Sequence, residues 1–188
     1  MLTKTVTAAS LTDDVARLTL ADVVGLQIGY NVRVTAVGQH YNGTHTISDV
    51  DTTGLWIEFT QNHNGDIPEV EVLGLLEVLV TWVDDTDVLD FLGVEPASQS
   101  DEDYLALCVE AANSWVFERR RKSGYTDLPN AVPGSDVKLG TILYAGSLYR
   151  ERGSVDSFAS FQDMPAIAPV GTMGQILRLI GCNRPRVH

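Results

Sequence analysis

Histidines and acidic residues bind metals and transfer protons in proteins, but only where their spacing lets several of them act together. Of the four histidines, His40 and His45 flank an Asn-Gly turn, and His63 lies in an Asn-rich loop. None of them has the spacing of a metal-ligand set. Motifs for a nucleophilic serine, a phosphate-binding loop or a dinucleotide-binding turn are absent from the sequence. The sequence therefore predicts a protein that is not an enzyme and that uses no metal ion or cofactor.

Two acidic runs resemble metal-binding sequences but have simpler interpretations. The run 49–54, Asp-Val-Asp-Thr-Thr-Gly, opens like a calcium loop, yet its twelfth position is Thr60 instead of Glu, which favours a hairpin turn. The second run has four carboxylates that could bind a divalent cation, although helix capping and a solvated face are the preferred explanation. They are Asp84, Asp85, Asp87 and Asp90.

A basic run has the chemistry to contact nucleic-acid phosphates. It consists of Arg119, Arg120, Arg121 and Lys122. Cations also stabilise the C-terminal end of a helix, and Gly124 follows as a stop signal. We interpret the run first as such a helix end, with ion pairs to acids of a neighbouring subunit, and second as a nucleic-acid contact.

Composition and charge limit the classes of function. The formal net charge is −12, which opposes tight binding to DNA phosphates but suits a wall that DNA passes without sticking. The apolar run Val72–Val80 is interrupted by Gly74 and Glu77 and is too short to cross a bilayer, and the first residues lack the apolar core of a signal peptide. We therefore expect no membrane partner and synthesis in the cytoplasm. Cys108 and Cys182 are interpreted as reduced thiols.

The first 77 residues have the alternation and the turn residues of short antiparallel strands. The segment Asn31–Val37 is the clearest, because Val32, Val34 and Ala36 fall on one side. Five or six strands fit a small antiparallel barrel or sandwich, which predicts an α+β chain with a β-module at residues 1–77. The other strand segments are Thr3–Ala9, Val15–Leu20, Thr44–Val50, Leu55–Thr60 and Val70–Leu73.

Residues 78–188 are predicted to be a second, helical domain. A short helix ends at Gly93, and a longer one has Leu105, Cys108, Ala112 and Trp115 on one face. The next helix starts near Ser135 and is expected to end near 152–153. It is apolar on nearly every side, so we expect part of its burial to come from neighbouring copies of the chain. A long irregular loop at 158–172, a short helix at 172–180 and a polar tail follow.

Two parts of the chain resemble bacteriophage proteins. Residues 15–60 resemble the small β-modules of phage structural proteins, through Leu18–Leu20, Gly25–Gly29, Val32–Val37, Asn42-Gly43-Thr44 and Thr46–Val50. Residues 78–188 resemble the head-to-tail adaptor (head-tail connector) family of long-tailed bacteriophages. That second resemblance is carried by the Asp-rich helix ending Phe91-Leu92-Gly93, the Ala111-Ala112-x-x-Trp115 helix running into the basic run, the segment 143–154 (LYAGSLYRERGS), and the Phe158-Ala-Ser-Phe161 loop before the last helix and tail.

The adaptor resemblance implies a structural virion protein at the head-tail junction, or neck. It implies a ring of twelve copies between the portal protein and the head-closure or tail-side proteins, with DNA passing through the channel without specific binding. The resemblance also implies site residues. The expected subunit interface is Leu148, Tyr149, Arg150 and Arg152, and the expected portal contacts are Phe158, Phe161, Met164, Arg184 and Arg186.

The N-terminal β-module is an addition that a minimal helical adaptor lacks, and it is expected to decorate the ring or to contact a capsid or neck protein. Two alternatives remain from the sequence. One is another neck or tail component, such as a head-closure or tail-terminator protein. The other is a nucleic-acid-binding regulator that uses the basic run, which the net charge of −12 disfavours.

Overall fold

The chain folds as two compact units, Met1–Leu79 and Val80–His188, here called the β unit and the helical unit. The computed structural model describes residues 2–96, 98–157 and 173–182, with the backbone alone for 152–157. The units divide two residues later than the sequence predicts. The Leu79 N–H still donates to the Asn31 carbonyl (2.8 Å) in the β unit, whereas the Thr81 N–H donates to Pro129 (2.9 Å) in the helical unit.

The β unit is one curled antiparallel sheet of seven strands, a half-barrel, so the chain is of mixed α+β class. The strand order is β4-β3-β7-β1-β2-β6-β5. Along the chain the strands are β1 (Thr3–Thr12), β2 (Val15–Leu20), β3 (Asn31–Thr35), β4 (Gly43–Thr46), β5 (Asp49–Asp51), β6 (Trp56–Thr60) and β7 (Ile67–Val78).

The two strands at opposite ends of this order, β4 and β5, are consecutive in the chain. Only Ile47 and Ser48 separate them. The Ile47 N–H donates to Tyr30 (2.9 Å) near one end of the sheet, and the Ser48 N–H donates to Glu58 (2.8 Å) at the other. The sheet therefore curls until a two-residue segment bridges its ends, which protects edges that would otherwise be open to pairing with other chains.

Two strands are longer than predicted. Strand β7 continues through Gly74, which the sequence suggested as its end, and β1 extends to Thr12. The turn after β1 consists of Asp13 and Asp14, both with left-handed φ angles (50° and 62°). Two such residues make the tight hairpin turn whose twist matches the flanking strands, and short polar side chains tolerate that backbone.

The interior of the curled sheet is largely apolar, and a half-buried imidazole packs against it. The His45 ring stacks on Phe59 at 3.9 Å between centroids, and its Nε2 lies 2.9 Å from the Tyr41 carbonyl oxygen. The largest fully buried side chains of the β unit are Phe59, Leu11, Leu18, Leu20, Ile47, Ile57, Leu76, Val6 and Val32.

Removing the Tyr41 hydroxyl is expected to stabilise the protein. The Tyr41 side chain is 3% exposed, and no group among the described residues hydrogen-bonds its hydroxyl. Because an unsatisfied buried hydroxyl is costly, Tyr41→Phe should raise the free energy of unfolding by about 1 kcal/mol. Tyr104→Phe is the matched control, because the Tyr104 hydroxyl donates to the Leu148 carbonyl (3.2 Å). This variant should lower the free energy of unfolding by about 1 kcal/mol. In urea unfolding, the midpoints of the two variants should shift in opposite directions from that of the unaltered protein. Equal shifts would contradict the statement that the Tyr41 hydroxyl is unsatisfied.

The stability of the β unit should fall in mild acid through His45. Burial lowers the pKa of His45 below its ordinary value, and the hydrogen bond with Tyr41 only partly opposes this. Below about pH 6.5 the unfolded chain binds a proton that the folded imidazole resists, so the folded state loses stability as the pH falls. Comparing urea unfolding at pH 7.5 and pH 5.0, His45→Phe should show a smaller loss than the unaltered protein. An identical loss in both would contradict the prediction.

The described residues of the helical unit form four helices, arranged around the third. They are α1 (Asp85–Leu92), α2 (Gln99–Lys122), α3 (Ser135–Ser157) and α4 (Met173–Leu179). Helix α3 contacts the other three, and Val137, Leu143 and Ala145 on it are buried. Helices of the same chain therefore cover much of the apolar surface of α3 that the sequence analysis assigned in part to neighbouring copies. Helix α3 also continues past the predicted end, because Gly153 is helical.

Hydrogen bonds and close packing join these helices. The Asn113 side chain on α2 is buried, accepts from the Val83 N–H (3.2 Å) and donates to the Val83 carbonyl (2.8 Å). The segment before α1 is thereby fixed to the middle of α2. A Cβ added at Gly146 of α3 would lie 3.3 Å from Leu92 of α1, so a glycine permits this close approach.

Candidate functional site

Three of the four cations in the basic run at the end of α2 pair with acids of their own chain. Arg121 bonds Glu118 (3.0 Å), and Lys122 lies 3.3 Å from the same carboxylate. The hydrogen bond from Arg121 is the largest cause of the lowered pKa of Glu118. Arg119 is exposed. The run is therefore a helix end in which Arg120, Arg121 and Lys122 have ion pairs within the chain, and pairing with acids of a neighbouring subunit stays a prediction.

Arg120 is the buried member of the run, with 6% of its surface exposed. Its guanidinium makes a two-bond contact with the Asp127 carboxylate (2.6 and 3.1 Å) and donates to the Ile180 carbonyl (2.7 Å). It also lies 3.9 Å from the ring of Tyr125, whose hydroxyl donates to the Gly181 carbonyl (3.2 Å). We call these five residues the Arg120 cluster. The cluster ties the end of α2, the loop after it and the end of α4 together.

The electrostatics of the Arg120 cluster are those of a paired buried cation. Burial lowers the pKa of Arg120, but the hydrogen bonds and charge of Asp127 outweigh it, so the net shift is upward. Gly181 has a φ of 76°, and a Cβ there would lie 2.7 Å from the Tyr125 hydroxyl oxygen. Glycine is therefore required where the chain leaves α4. Arg120 is a structural residue and is not presented to phosphates.

In both acidic runs, carboxylates accept hydrogen bonds from nearby backbone N–H groups, at a helix start in one run and in a turn in the other. The Asp84 carboxylate accepts from the Asp87 N–H (2.9 Å), and the Asp87 carboxylate accepts from the Asp84 N–H (3.3 Å). This reciprocal pair of hydrogen bonds caps α1. Lys138 pairs with Asp87 (2.7 Å) and lowers its pKa by that hydrogen bond. Asp51 accepts from the Gly54 and Thr53 N–H groups, which lower its pKa and close the β5–β6 turn. Within the described ranges, no group of three or more His, Cys, Asp or Glu side chains could hold a metal ion.

The fold brings together two histidines that lie far apart in the sequence. The rings of His40 and His63 are 4.5 Å apart and nearly perpendicular. The Asp14 carboxylate accepts from the backbone N–H of His63 (2.8 Å) and fixes the loop that contains it. The Nδ1 atom of His63 lies 2.8 Å from the Gly65 carbonyl oxygen. The sequence carries no signal for this pair, because its two loops are joined only by the curling of the sheet.

The expected subunit interface lies near the C-terminal end of α3. Leu148 and Tyr149 are half-buried, and both are near Tyr104 of α2, whose ring centre is 6.1 Å from that of Tyr149. Arg150 is exposed. The structure gives the backbone of Arg152 without its side chain, and the expected portal contacts lie outside the described residues. Those contacts are Phe158, Phe161, Met164, Arg184 and Arg186, in the predicted loop and tail.

Comparisons with known proteins identify no relative. No protein-family model, curated protein or solved structure matches the chain. Among the described residues, no helix combines the length and the apolar character that crossing a membrane requires.

Two features of the helical unit were not predicted from the sequence. One is the burial of Arg120, although its spacing was a usable signal, because Val116 and Asn113 lie one and two turns earlier on the same buried face. The other is an exposed leucine, Leu107, which is 63% accessible in the middle of the long helix α2. Leu107 lies off the face that Leu105, Cys108 and Ala112 form, and helix α3 covers a different face of α2.

Proposed function

We propose that the chain is a structural protein of a long-tailed bacteriophage neck, a head-to-tail adaptor. In this role it forms a ring of twelve copies between the portal and the tail-side proteins. DNA passes through the ring, and the β unit faces a capsid or neck protein. The proposal includes no catalytic role and places the protein in the virion after synthesis in the bacterial cytoplasm.

The observation that carries the proposal is the order and length of the helices. A short capped α1, a 24-residue α2 ending in cations, a 23-residue α3 and a short α4 before the tail follow the order that the adaptor resemblance implies. The Arg120 cluster adds support, because it fixes the point at which the tail leaves the helical unit. A tail with a fixed origin is suited to reaching a partner protein.

We expect a head-closure or tail-terminator protein to be mainly β, so the helix-rich second unit favours an adaptor. The pairing of Arg120, Arg121 and Lys122 within the chain weighs against a nucleic-acid-binding regulator. If the regulator were correct, the isolated chain would bind duplex DNA with an affinity that falls steeply with salt.

Electron cryomicroscopy of purified virions is the direct test. We expect density for a ring of this chain between the portal and the tail, into which both units fit. Density for the chain elsewhere in the virion, or none, would overturn the adaptor proposal. The same map would show which neighbour the β unit contacts and how many copies the ring contains.

A further inference from the structure

Helix α2 has an exposed surface that combines acidic and apolar side chains. Asp103, Ala106, Leu107 and Ala111 are all exposed, and their spacing of three, four and eight residues puts them on one side of the helix. We call this surface the α2 stripe. Leu107 at its centre is 63% exposed, and the exposed Ala106 and Ala111 beside it extend the apolar surface.

The charge of the α2 stripe is not balanced along its own helix. The sequence contains no lysine or arginine between residues 34 and 118, and ten of its thirteen lysines and arginines follow residue 118. The first cation on α2 is Arg119, which lies about 24 Å along the helix from Asp103 at 1.5 Å per residue. A partner of the α2 stripe should therefore supply a cation and an apolar surface.

Helix α4 has a surface of that kind. Ile176 is 1% exposed and faces inward, while Met173 (48%), Gly174 and Arg178 are exposed and Leu177 is half-exposed. These four residues occupy one side of α4, here called the α4 face. The α4 face combines apolar side chains with one cation and contains no acid.

The α2 stripe and the α4 face do not cover each other within one chain, since both are exposed. The end of α4 is held at Arg120 through the Ile180 carbonyl (2.7 Å). Arg120 lies thirteen residues after Leu107, or about 20 Å along α2. Helix α4 packs on α3, and Arg178 is two residues from the fixed carbonyl. The two surfaces can therefore meet only between copies.

We infer that the α2 stripe of one copy binds the α4 face of a second copy. The two surfaces differ, so the contact is head-to-tail, and repetition of such a contact closes a ring when its rotation allows. The inference rests on the proposed neck ring and assigns the contact between its copies. The end of α3 is a weaker candidate for the contact between copies, because Leu148 and Tyr149 are already half-buried and both contact Tyr104 of the same chain.

The test uses the full chain and two variants that each lose one surface. Asp103→Lys with Leu107→Ser removes the α2 stripe, and Met173→Ser with Arg178→Glu removes the α4 face. In sedimentation velocity over a concentration series, the unaltered chain should form oligomers. Each variant should associate at least about 30-fold more weakly, the effect of losing an interface residue worth about 2 kcal/mol.

Mixing the two variants distinguishes a head-to-tail contact from a symmetric one. Each variant keeps the surface that the other lacks, so the mixture should form a 1:1 dimer that does not grow. Leu139→Ser changes a different exposed leucine, on α3 (41% exposed), and should leave association unchanged. Circular dichroism should show that every variant is folded.

Three results would overturn the inference: an unaltered chain that stays monomeric, variants that assemble normally, or a mixture that remains monomeric. None of them decides the neck proposal, because a portal could drive ring formation through other contacts. Absence of the chain from the virion neck would overturn the proposed function and leave the measured contact standing.

Discussion

Replacing Arg120 by methionine should destabilise the helical unit by about 3–5 kcal/mol, the cost of removing one partner of a buried ion pair. The change leaves the Asp127 carboxylate, whose side chain is 11% exposed, without its cation. It also removes the donor to the Ile180 carbonyl and so releases the end of α4. Urea unfolding followed by far-ultraviolet circular dichroism would measure the loss.

The neighbouring arginine provides the control for this experiment. Arg119→Met removes the same charge from an exposed position and should change stability by no more than about 0.5 kcal/mol. Arg120→Met combined with Asp127→Leu should be more stable than Arg120→Met alone, because no unpaired buried charge remains. Equal stability of the Arg119 and Arg120 variants would show that the Arg120 cluster contributes nothing.

Replacing Gly74 by alanine should cost the β unit about 3 kcal/mol. A Cβ at this position would overlap Val37 Cγ2 and would lie 2.9 Å from the Thr35 carbonyl oxygen. A backbone oxygen cannot rotate away as a side chain can, so β7 would have to separate from β3, and overpacking of this kind typically costs 1–3 kcal/mol. Thermal or urea unfolding of the variant would report the change.

A second substitution separates the two parts of this clash. Val37→Ala with Gly74→Ala removes the side-chain overlap but keeps the contact with the Thr35 carbonyl, so it should recover only part of the lost stability. Leu75→Ala, one residue away on the exposed face, should cost much less. A Gly74→Ala protein as stable as the unaltered chain would mean that β7 and β3 are less tightly joined than these distances indicate.

The fold was predictable where local pattern determines it. Alternation of Val32, Val34 and their neighbours marks a strand, and Asp84 before an apolar run marks the start of α1. Gly74 shows the limit of this approach. A glycine inside an apolar run reads as a break, and only the approach of Val37, 37 residues earlier in the sequence, explains why β7 requires it.

The candidate sites were less predictable, because they depend on contacts between distant segments. Arg119, Arg120 and Arg121 are the same residue type in one run. Only the fold shows that Arg120 pairs with Asp127 and with the Ile180 carbonyl, 60 residues later. The sequence pattern favoured the end of α3 as the interface, whereas among the described residues of the helical unit the most exposed large apolar side chain is Leu107 on α2. Exposure of a single leucine depends on which neighbours pack around it, and periodicity does not specify this.

The pairing of β1 with β7 determines when the β unit can form. Thr3 lies opposite Glu77, so the first and last strands of the unit are neighbours in the middle of the sheet. During synthesis β1 leaves the ribosome first, yet one of its edges has no partner until β7 follows. Pairing between such distant segments is slow, because the chain between them loses conformational entropy before any stabilising contact between the two strands has formed. The β unit therefore completes its sheet only after residue 78 has emerged, and a chain that stops before Ile67 cannot complete it.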